Sequence, residues 1–460
     1  MARINGIDFN KGIAILGMLF FHAFQTGIAH NNSELTINWA FSLPPFVTYG
    51  IILPLVFISH LGSLFVFLTV MTTTISLLSL YKKNKKAIIS YLFGRLIFAV
   101  ALKALELFWY SFLINYDFLS KREFAFPSFE IPYDSGTLDA IGILGFLVPT
   151  LVYGLISIPH IHYSFQILII MCFIICWWPF YQIIGDNCNV LSNWLSTHGF
   201  NILGLFFSKC GTGSFQISEM LPFGLLGACW GILMFNTKSW KYYAIFCSVV
   251  VSICVVIGTI LIFFTPEFIQ KIGDDRKPLG YLLVIMAFQN IMHLTHCYFT
   301  DGPRTDEKLL KSRRHTTYLR RLSCVSLTAF VIDTYTELQV LKVFEAIFGP
   351  AADYKSNAVL WNSWLVLIYM FTYALCWMLL IRLWEKISFR WSLEHQLSSI
   401  IQWIYNKPYN KMDFKKVIYE PIWEIERKSQ PNEDTTIIIS QNNDEYESIA
   451  EIPKNTQIDH

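Results

Sequence analysis

Long apolar stretches alternate with short polar ones along most of the chain. Apolar runs of membrane-spanning length fall near residues 10–30, 61–80, 91–114, 137–158, 163–184, 217–236, 242–264, 279–299, 322–348 and 358–385. A hydrocarbon core takes about 20 helical residues to cross. Backbone in lipid must also satisfy its own hydrogen bonds, which a helix does internally. The pattern therefore predicts an all-α, polytopic membrane bundle of about ten transmembrane helices. A shorter run at 46–59, broken by Pro54, predicts a re-entrant or interfacial segment packed on the second span. From about residue 389 the pattern turns polar, and 427–460 is rich in Asn, Asp, Glu, Ser and Gln. That composition buries too little apolar surface to fold alone. The chain thus divides into a membrane domain, 1–388, and a cytoplasmic tail, 389–460, expected to be disordered from about 427.

Composition agrees with the pattern. Charged residues make up 15% of the chain and hydrophobic ones 54%, where a soluble domain carries roughly 25% charged residues. The formal net charge of +2 names no partner, so the distribution of charge matters more than its sum. Lys82, Lys83, Lys85 and Lys86 follow the second run, and Lys238 and Lys241 the sixth. After the eighth come Arg304, Lys308, Lys311, Arg313, Arg314, Arg320 and Arg321, opposed only by Asp306 and Glu307. Basic residues in short loops mark the cytoplasmic side, so both termini are expected there, in a multi-pass protein of the cell membrane. Eight of the ten cysteines sit in apolar runs, where Cys acts as a small hydrophobe. Cys188 and Cys210 share a polar loop and can pair if it faces an oxidising compartment. No Cys/His spacing predicts a metal site.

Ionisable groups inside spans cost roughly 2.5–3.5 kcal/mol each at a helix centre, so they need a reason to be there. In the first run Lys11 and His22 are three helical turns apart on one face, about 16 Å along the axis. They can line one cavity, and Asp8 can pair with Lys11 at its mouth. A neutral interhelical His22 and a snorkelling Lys11 are the plainer alternatives. Arg95, Lys103 and Glu106 lie in the third run, with Lys103 and Glu106 spaced to neutralise each other. Asp139 follows Ser135 and Gly136 at the start of the fourth, where it suits the helix dipole or faces a site. Asn290, His293 and His296 form a polar stripe in the eighth run, suited to interhelical hydrogen bonds, to a cavity wall or, weakly, to a metal. Asp333 and Glu337 share a face in the ninth, and two like charges so close push one pKa up.

The pattern Asp8-x-x-Lys11-Gly12 followed by His22 resembles the start of the large transmembrane acyltransferase superfamily. That superfamily includes the acyltransferase type-three enzymes and the heparan-α-glucosaminide N-acetyltransferases. The type-three motif has Arg where Lys11 stands, and a His where His22 stands. Gly62-Ser63-Leu64-Phe65-Val66-Phe67-Leu68-Thr69 looks like the superfamily's "LFxFxxG" segment without its usual Gly. Gly136 through Gly142 is similar to a "GxLxxIG" span start of the glucosaminide branch, and Pro222 through Gly227 resembles a later Pro/Gly-rich span. Trp391-Ser392-Leu393-Glu394 resembles a C-terminal motif of related bacterial proteins. The resemblance is densest over 3–80 and thin beyond 235.

The resemblance implies acyl transfer from cytoplasmic acyl-CoA, acetyl-CoA foremost, to a sugar or envelope acceptor across the membrane. His22 would be the general base, Lys11 and Arg95 would bind the donor, and Asp139 would orient the base. In the glucosaminide branch the working His lies beyond the first span, where His30 falls, so His22 and His30 both stand as candidates. Lys cannot make the planar bidentate contact that Arg makes, so the donor would be held differently from the family pattern. The partners implied are membrane lipid, acyl-CoA and a sugar or glycan, with no nucleic acid and no metal, and a homodimer is left open. The other reading is a multi-pass transporter or lipid/sugar flippase, drawn from the His293/His296 stripe and the Asp333/Glu337 pair.

Overall fold

The apolar runs become helices. The computed structural model describes residues 4–29, 35, 38–39, 42–52, 62–114, 136–213, 215–264, 277–353, 358–404 and 413–429. In chain order the helices are α1 (Asn5–His22), α2 (Gly62–Lys83), α3 (Ile88–Ile114), α4 (Thr137–Ile156), α5 (Tyr163–Trp177), α6 (Tyr181–Thr197) and α7 (Asn201–Gly211). They continue as α8 (Ile217–Asn236), α9 (Trp240–Phe264), α10 (Leu279–Asp301), α11 (Asp306–His315), α12 (Thr317–Ser323) and α13 (Ser326–Phe348). α14 (Ser363–Lys386), α15 (Leu393–Ile404) and α16 (Phe414–Ser429) complete the set. A two-stranded antiparallel ribbon, β1 (Ala352–Asp353) with β2 (Ala358–Val359), precedes α14.

Among the described residues nine helices are long and apolar enough to cross a membrane. The protein is therefore an all-α, multi-pass membrane bundle. The run expected at 322–348 is mostly one helix, α13, which is not among those nine. α13 has a span's length but carries Asp333, Glu337, Lys342 and Glu345, and it packs among α1, α3 and α14. The run expected at 163–184 is longer than one span needs: α5, a 3-10 turn at Trp178–Phe180 and α6 cover 35 residues without a break. At 1.5 Å per residue that is about 50 Å, so the far end of α6 outruns a bilayer core. α7 folds back along it. Of the expected 46–59 segment, a helical turn (Pro45–Val47) and a π turn (Thr48–Ile52) are seen, and 53–59 lie outside the described residues.

The core and the rim of the bundle differ in sequence. The apolar window of α8 is 94% buried, whereas that of α9 is 22% buried. α8 carries small residues on its packing face, and a Cβ at Gly227 would collide with the Phe67 carbonyl of α2. Close backbone approach of this kind is how helices associate in lipid, where no hydrophobic effect drives them together. α9 is apolar all round, and leaves Phe263 and Phe264 exposed as a lipid-facing wall. α1 lies inside the bundle against α10, α12, α13 and α14. Gly12 admits it to α12, since a Cβ there would meet the Leu319 carbonyl.

The polar stretch from 389 begins as two helices docked on the bundle. α15 packs on α3 and α13, and α16 on α11 and α12. Arg320, 1% exposed, donates to the Val417 carbonyl of α16 at 3.4 Å and to that of Ile418. Arg321 pairs with Glu385 at 2.8 Å and donates to the Tyr419 hydroxyl at 2.6 Å. Arg314 pairs with Glu426 at 2.5 Å. Part of the basic cluster thus meets the protein's own C-terminal helix. The stretch expected to be disordered lies, beyond 429, outside the described residues.

Candidate functional site

The polar groups of α1 are met one by one along its length. At its start, the Asn5 Nδ2 and the Gly6 N–H both donate to Asp301, at the end of α10, at 2.8 Å. A carboxylate satisfies orphan N–H groups there and complements the helix dipole. Ser323 of α12 donates to Asp8 at 3.3 Å. Two residues further, Asn10 sits between two histidines of α10. Its Nδ2 lies 3.2 Å from His293 Nδ1, and its Oδ1 accepts from His296 Nδ1. The amide then sets both tautomers: Nδ1 is the acceptor in His293 and the donor in His296. His293 is fully buried and meets the ring edges of Trp230 at 4.9 Å and Phe67 at 5.3 Å. Asn290 accepts from Trp230 Nε1 at 2.7 Å and donates to the Met286 carbonyl at 2.7 Å. The stripe of α10 is an interhelical hydrogen-bond stripe.

The other end of α1 is built differently. His22 Nδ1 lies 2.8 Å from Asp333 Oδ2 of α13, and the two side chains are 32% and 2% exposed. The second oxygen, Asp333 Oδ1, accepts the Tyr373 hydroxyl of α14 at 2.6 Å, and Trp377 Nε1 donates to that hydroxyl at 2.8 Å. A buried carboxylate is tolerable only when paired and hydrogen-bonded, and here each oxygen has a partner. The result is a chain Trp377–Tyr373–Asp333–His22 that holds the imidazole by its Nδ1. Donation from Nδ1 to a carboxylate makes Nε2 the basic nitrogen. A π turn, Ala23–Ile28, follows His22 at once, and such turns frequently occur at functional sites. Beyond it, Phe24 stacks on Trp39 at 4.1 Å. Glu337, one turn after Asp333, is fully buried and lies against Gly27. His30 falls outside the described residues.

Lys11 is half-buried on α1, three turns before His22. Arg95 and Asp139 belong to a different corner, formed by α3, α4 and α7. Arg95 Nε donates to the Gly145 carbonyl of α4 at 3.3 Å, and its guanidinium lies 4.4 Å from the Phe98 ring centre. That carbonyl needs an outside donor because Pro149, four residues on, has no N–H. The device recurs twice. Pro222 frees the Ser218 carbonyl, which accepts from Trp177 Nε1 at 2.8 Å, and Pro421 frees the Val417 carbonyl that Arg320 meets. Asp139 accepts the Gly136 N–H at 3.2 Å and pairs with Lys103 at 3.1 Å and Lys209 at 3.2 Å. Lys103 thus reaches Asp139; the side chain of Glu106, its expected partner, lies outside the described ones. Cys188 of α6 and Cys210 of α7 are free thiols, and Cys210 Sγ donates to the Phe206 carbonyl of its own helix at 3.7 Å.

Sequence reasoning singled out Asp333 for its neighbour Glu337 and passed over Tyr373. The separation of 311 positions between His22 and Asp333 leaves no local signal for their pairing. A weaker signal was present in Tyr369, Tyr373 and Trp377, which recur at four-residue spacing on one face of α14.

Comparison with known protein families, with curated proteins and with solved structures finds no match to this chain. Fold and site together define a class: a multi-pass α-helical membrane protein with a histidine–aspartate pair between its first helix and α13.

Proposed function

We propose that this protein is an integral-membrane acyltransferase, moving an acyl group, acetyl foremost, from cytoplasmic acyl-CoA to a sugar or envelope acceptor on the far side. The observation that carries the reading is the His22–Asp333 contact of 2.8 Å, in which a partly exposed imidazole rests on a buried carboxylate. Histidine held this way suits general-base work near neutral pH. The acceptor hydroxyl or amine gives its proton to His22 Nε2 as its lone pair attacks the thioester carbonyl. The C–S bond then breaks, the acyl group stays on the acceptor, and the CoA thiolate takes the proton back from the imidazolium. Asp333 stabilises that imidazolium and fixes its orientation, with Tyr373 holding the carboxylate. Lys11, at the end of α1 expected to face the cytoplasm, suits the anionic donor. The contacts of Arg95 and Asp139 favour a packing role for both.

The alternative, a multi-pass transporter or lipid/sugar flippase, draws on the burial of Asp333 and Glu337 one turn apart. It calls for solute flux that needs no acyl donor. The test between the two is CoA release by the full-length protein in nanodiscs, supplied with acetyl-CoA and a panel of amino sugars and glycans. Acceptor-dependent release that disappears in His22→Ala supports the transferase. Release lost in His30→Ala but kept in His22→Ala moves the base to His30. No release and no acyl-CoA binding in any condition sinks the reading in favour of transport.

A further inference from the structure

At the end of the bundle expected to face the cytoplasm, two short loops carry only positive charge. Lys82 and Lys83 end α2, and Lys85 and Lys86 lie in the 3-10 turn Lys85–Ala87 that leads into α3. Lys238 and Lys241 stand at the junction of α8 with α9. α2 packs on α8, and the Lys82 ammonium lies 4.5 Å from the centre of the Phe235 ring, near the end of α8. That contact joins the two loops into one surface. Lys85 turns back over Tyr81, 4.7 Å from its ring centre. All six lysines are exposed. No acidic residue occurs from 80 to 90 or from 234 to 246, and among the described residues none of the six forms an ion pair. Like charges this close repel one another, and an anion brought by a partner relieves that repulsion.

What adjoins the lysines sets the kind of anion. α3 and α9 begin beside them, and both are rim helices, their apolar windows 17% and 22% buried. On α3, Ile89, Phe93, Leu96 and Val100 recur every three to four residues as an exposed stripe, and on α9 Tyr242, Ile245, Val249 and Ile253 form another. Each stripe runs eleven residues, about 16 Å, or half of a hydrocarbon core of roughly 30 Å. Unneutralised cations above an apolar wall one leaflet deep match an amphiphile with an anionic head. A soluble anion would engage the lysines and leave both stripes unmatched.

We infer that this surface binds anionic phospholipid, with headgroup phosphates on the six lysines and acyl chains along the two stripes. The lysines act as a group, each adding to the attraction, and salt screens them. The inference does not depend on acyl transfer.

The test is native mass spectrometry of the full-length protein in detergent, titrated with phosphatidylglycerol and with phosphatidylcholine of identical chains. Phosphatidylglycerol should bind about tenfold or more tighter, and the gap should narrow as ionic strength rises. Lys83→Gln, Lys86→Gln, Lys238→Gln and Lys241→Gln together leave the two ring-held lysines in place and should cut that preference about tenfold. Lys→Arg at the same four positions should keep it. Lys308→Gln with Lys311→Gln, exposed on α11, should leave it unchanged. Equal affinity for the two lipids, an undiminished preference in the four-site Lys→Gln variant, or an equal loss in the α11 pair would overturn the proposal. So would displacement by glycerol phosphate at matched ionic strength, which would make this a site for soluble phosphates.

Discussion

Asn10 and His22 both stand on α1 and both meet a partner from a distant helix, yet their surroundings have little else in common. Asn10, His293 and Asn290 are completely buried, and their hydrogen bonds are made to one another and to neighbouring groups of α8 and α10. His22 keeps 32% of its side chain exposed and leans on a carboxylate that is itself buried. In the first arrangement polarity holds helices together where apolar packing alone is not selective. In the second, a buried carboxylate fixes an imidazole that stays partly exposed. Histidine on a membrane helix carries no meaning by residue type; the partner and the exposure distinguish the two settings.

The largest effects are expected at His22 and its partners. His22→Gln should lower acceptor-dependent acyl transfer per folded molecule by about 10²–10⁴-fold, the usual worth of a general base. Asp333→Asn should cost about 10²-fold in kcat and leave the KM for acyl-CoA near wild type, because it removes orientation and charge rather than donor contacts. Tyr373→Phe, which leaves Asp333 Oδ1 short of one donor, should fall between that variant and wild type. Asn10→Leu should do the opposite of His22→Gln: it strands buried His293 and His296 nitrogens and should cost about 1–3 kcal/mol of stability, read as a lowered Tm, while activity per folded molecule stays within a few-fold.

A second comparison concerns the three helix-interior prolines. If Arg95 is there for the carbonyl that Pro149 frees, Arg95→Met should destabilise by about 1–3 kcal/mol. Pro149→Ala, which restores an N–H to that carbonyl, should then make the same change cheaper. Equal costs on both backgrounds, measured by thermal unfolding, would return Arg95 to the list of ligand-binding residues.

The smallest effect concerns two carboxylates that cap helix starts. Asp301 does so for α1. Glu394 does so for α13, accepting the Leu327 N–H at 2.6 Å, the Thr328 N–H at 3.4 Å and the Thr328 hydroxyl at 2.7 Å. Burial pushes the Glu394 carboxyl above its ordinary value, against the opposing pull of those hydrogen bonds. A carboxyl raised on folding contributes stability that is complete below its unfolded pKa and is lost as pH rises through the folded one. Docking of α15 should therefore tighten as pH falls from neutral toward about 5. Hydrogen exchange across 393–404, corrected for intrinsic rates, measures this, and Glu394→Gln should remove the pH dependence.

Much of the fold was legible because membrane spans announce themselves locally, through length and apolarity. α13 was harder to read, since Asp333 and Glu337 are buried within the bundle and burial there does not follow from apolarity. The docking of α15 and α16 was hidden by their polar composition, which resembles that of a free tail until Glu394 of α15 is seen to meet Leu327 and Thr328, and α16 to meet Arg320 and Arg321. Of the candidate site, His22 and the α10 stripe could be read from spacing on one helix. The Asp333 partnership and the role of Arg95 could not, because each depends on which helices become neighbours. For Arg95 a local clue existed in Pro149, whose missing N–H required a donor from somewhere.

Under the proposed function the exposed histidine acts and the enclosed ones hold. The most direct test is acceptor-dependent CoA release measured side by side for His22→Gln and His293→Gln in nanodiscs, normalised to folded protein. Activity lost in the first and kept in the second is the expected result. Activity kept in His22→Gln, or lost equally in both, would contradict the account.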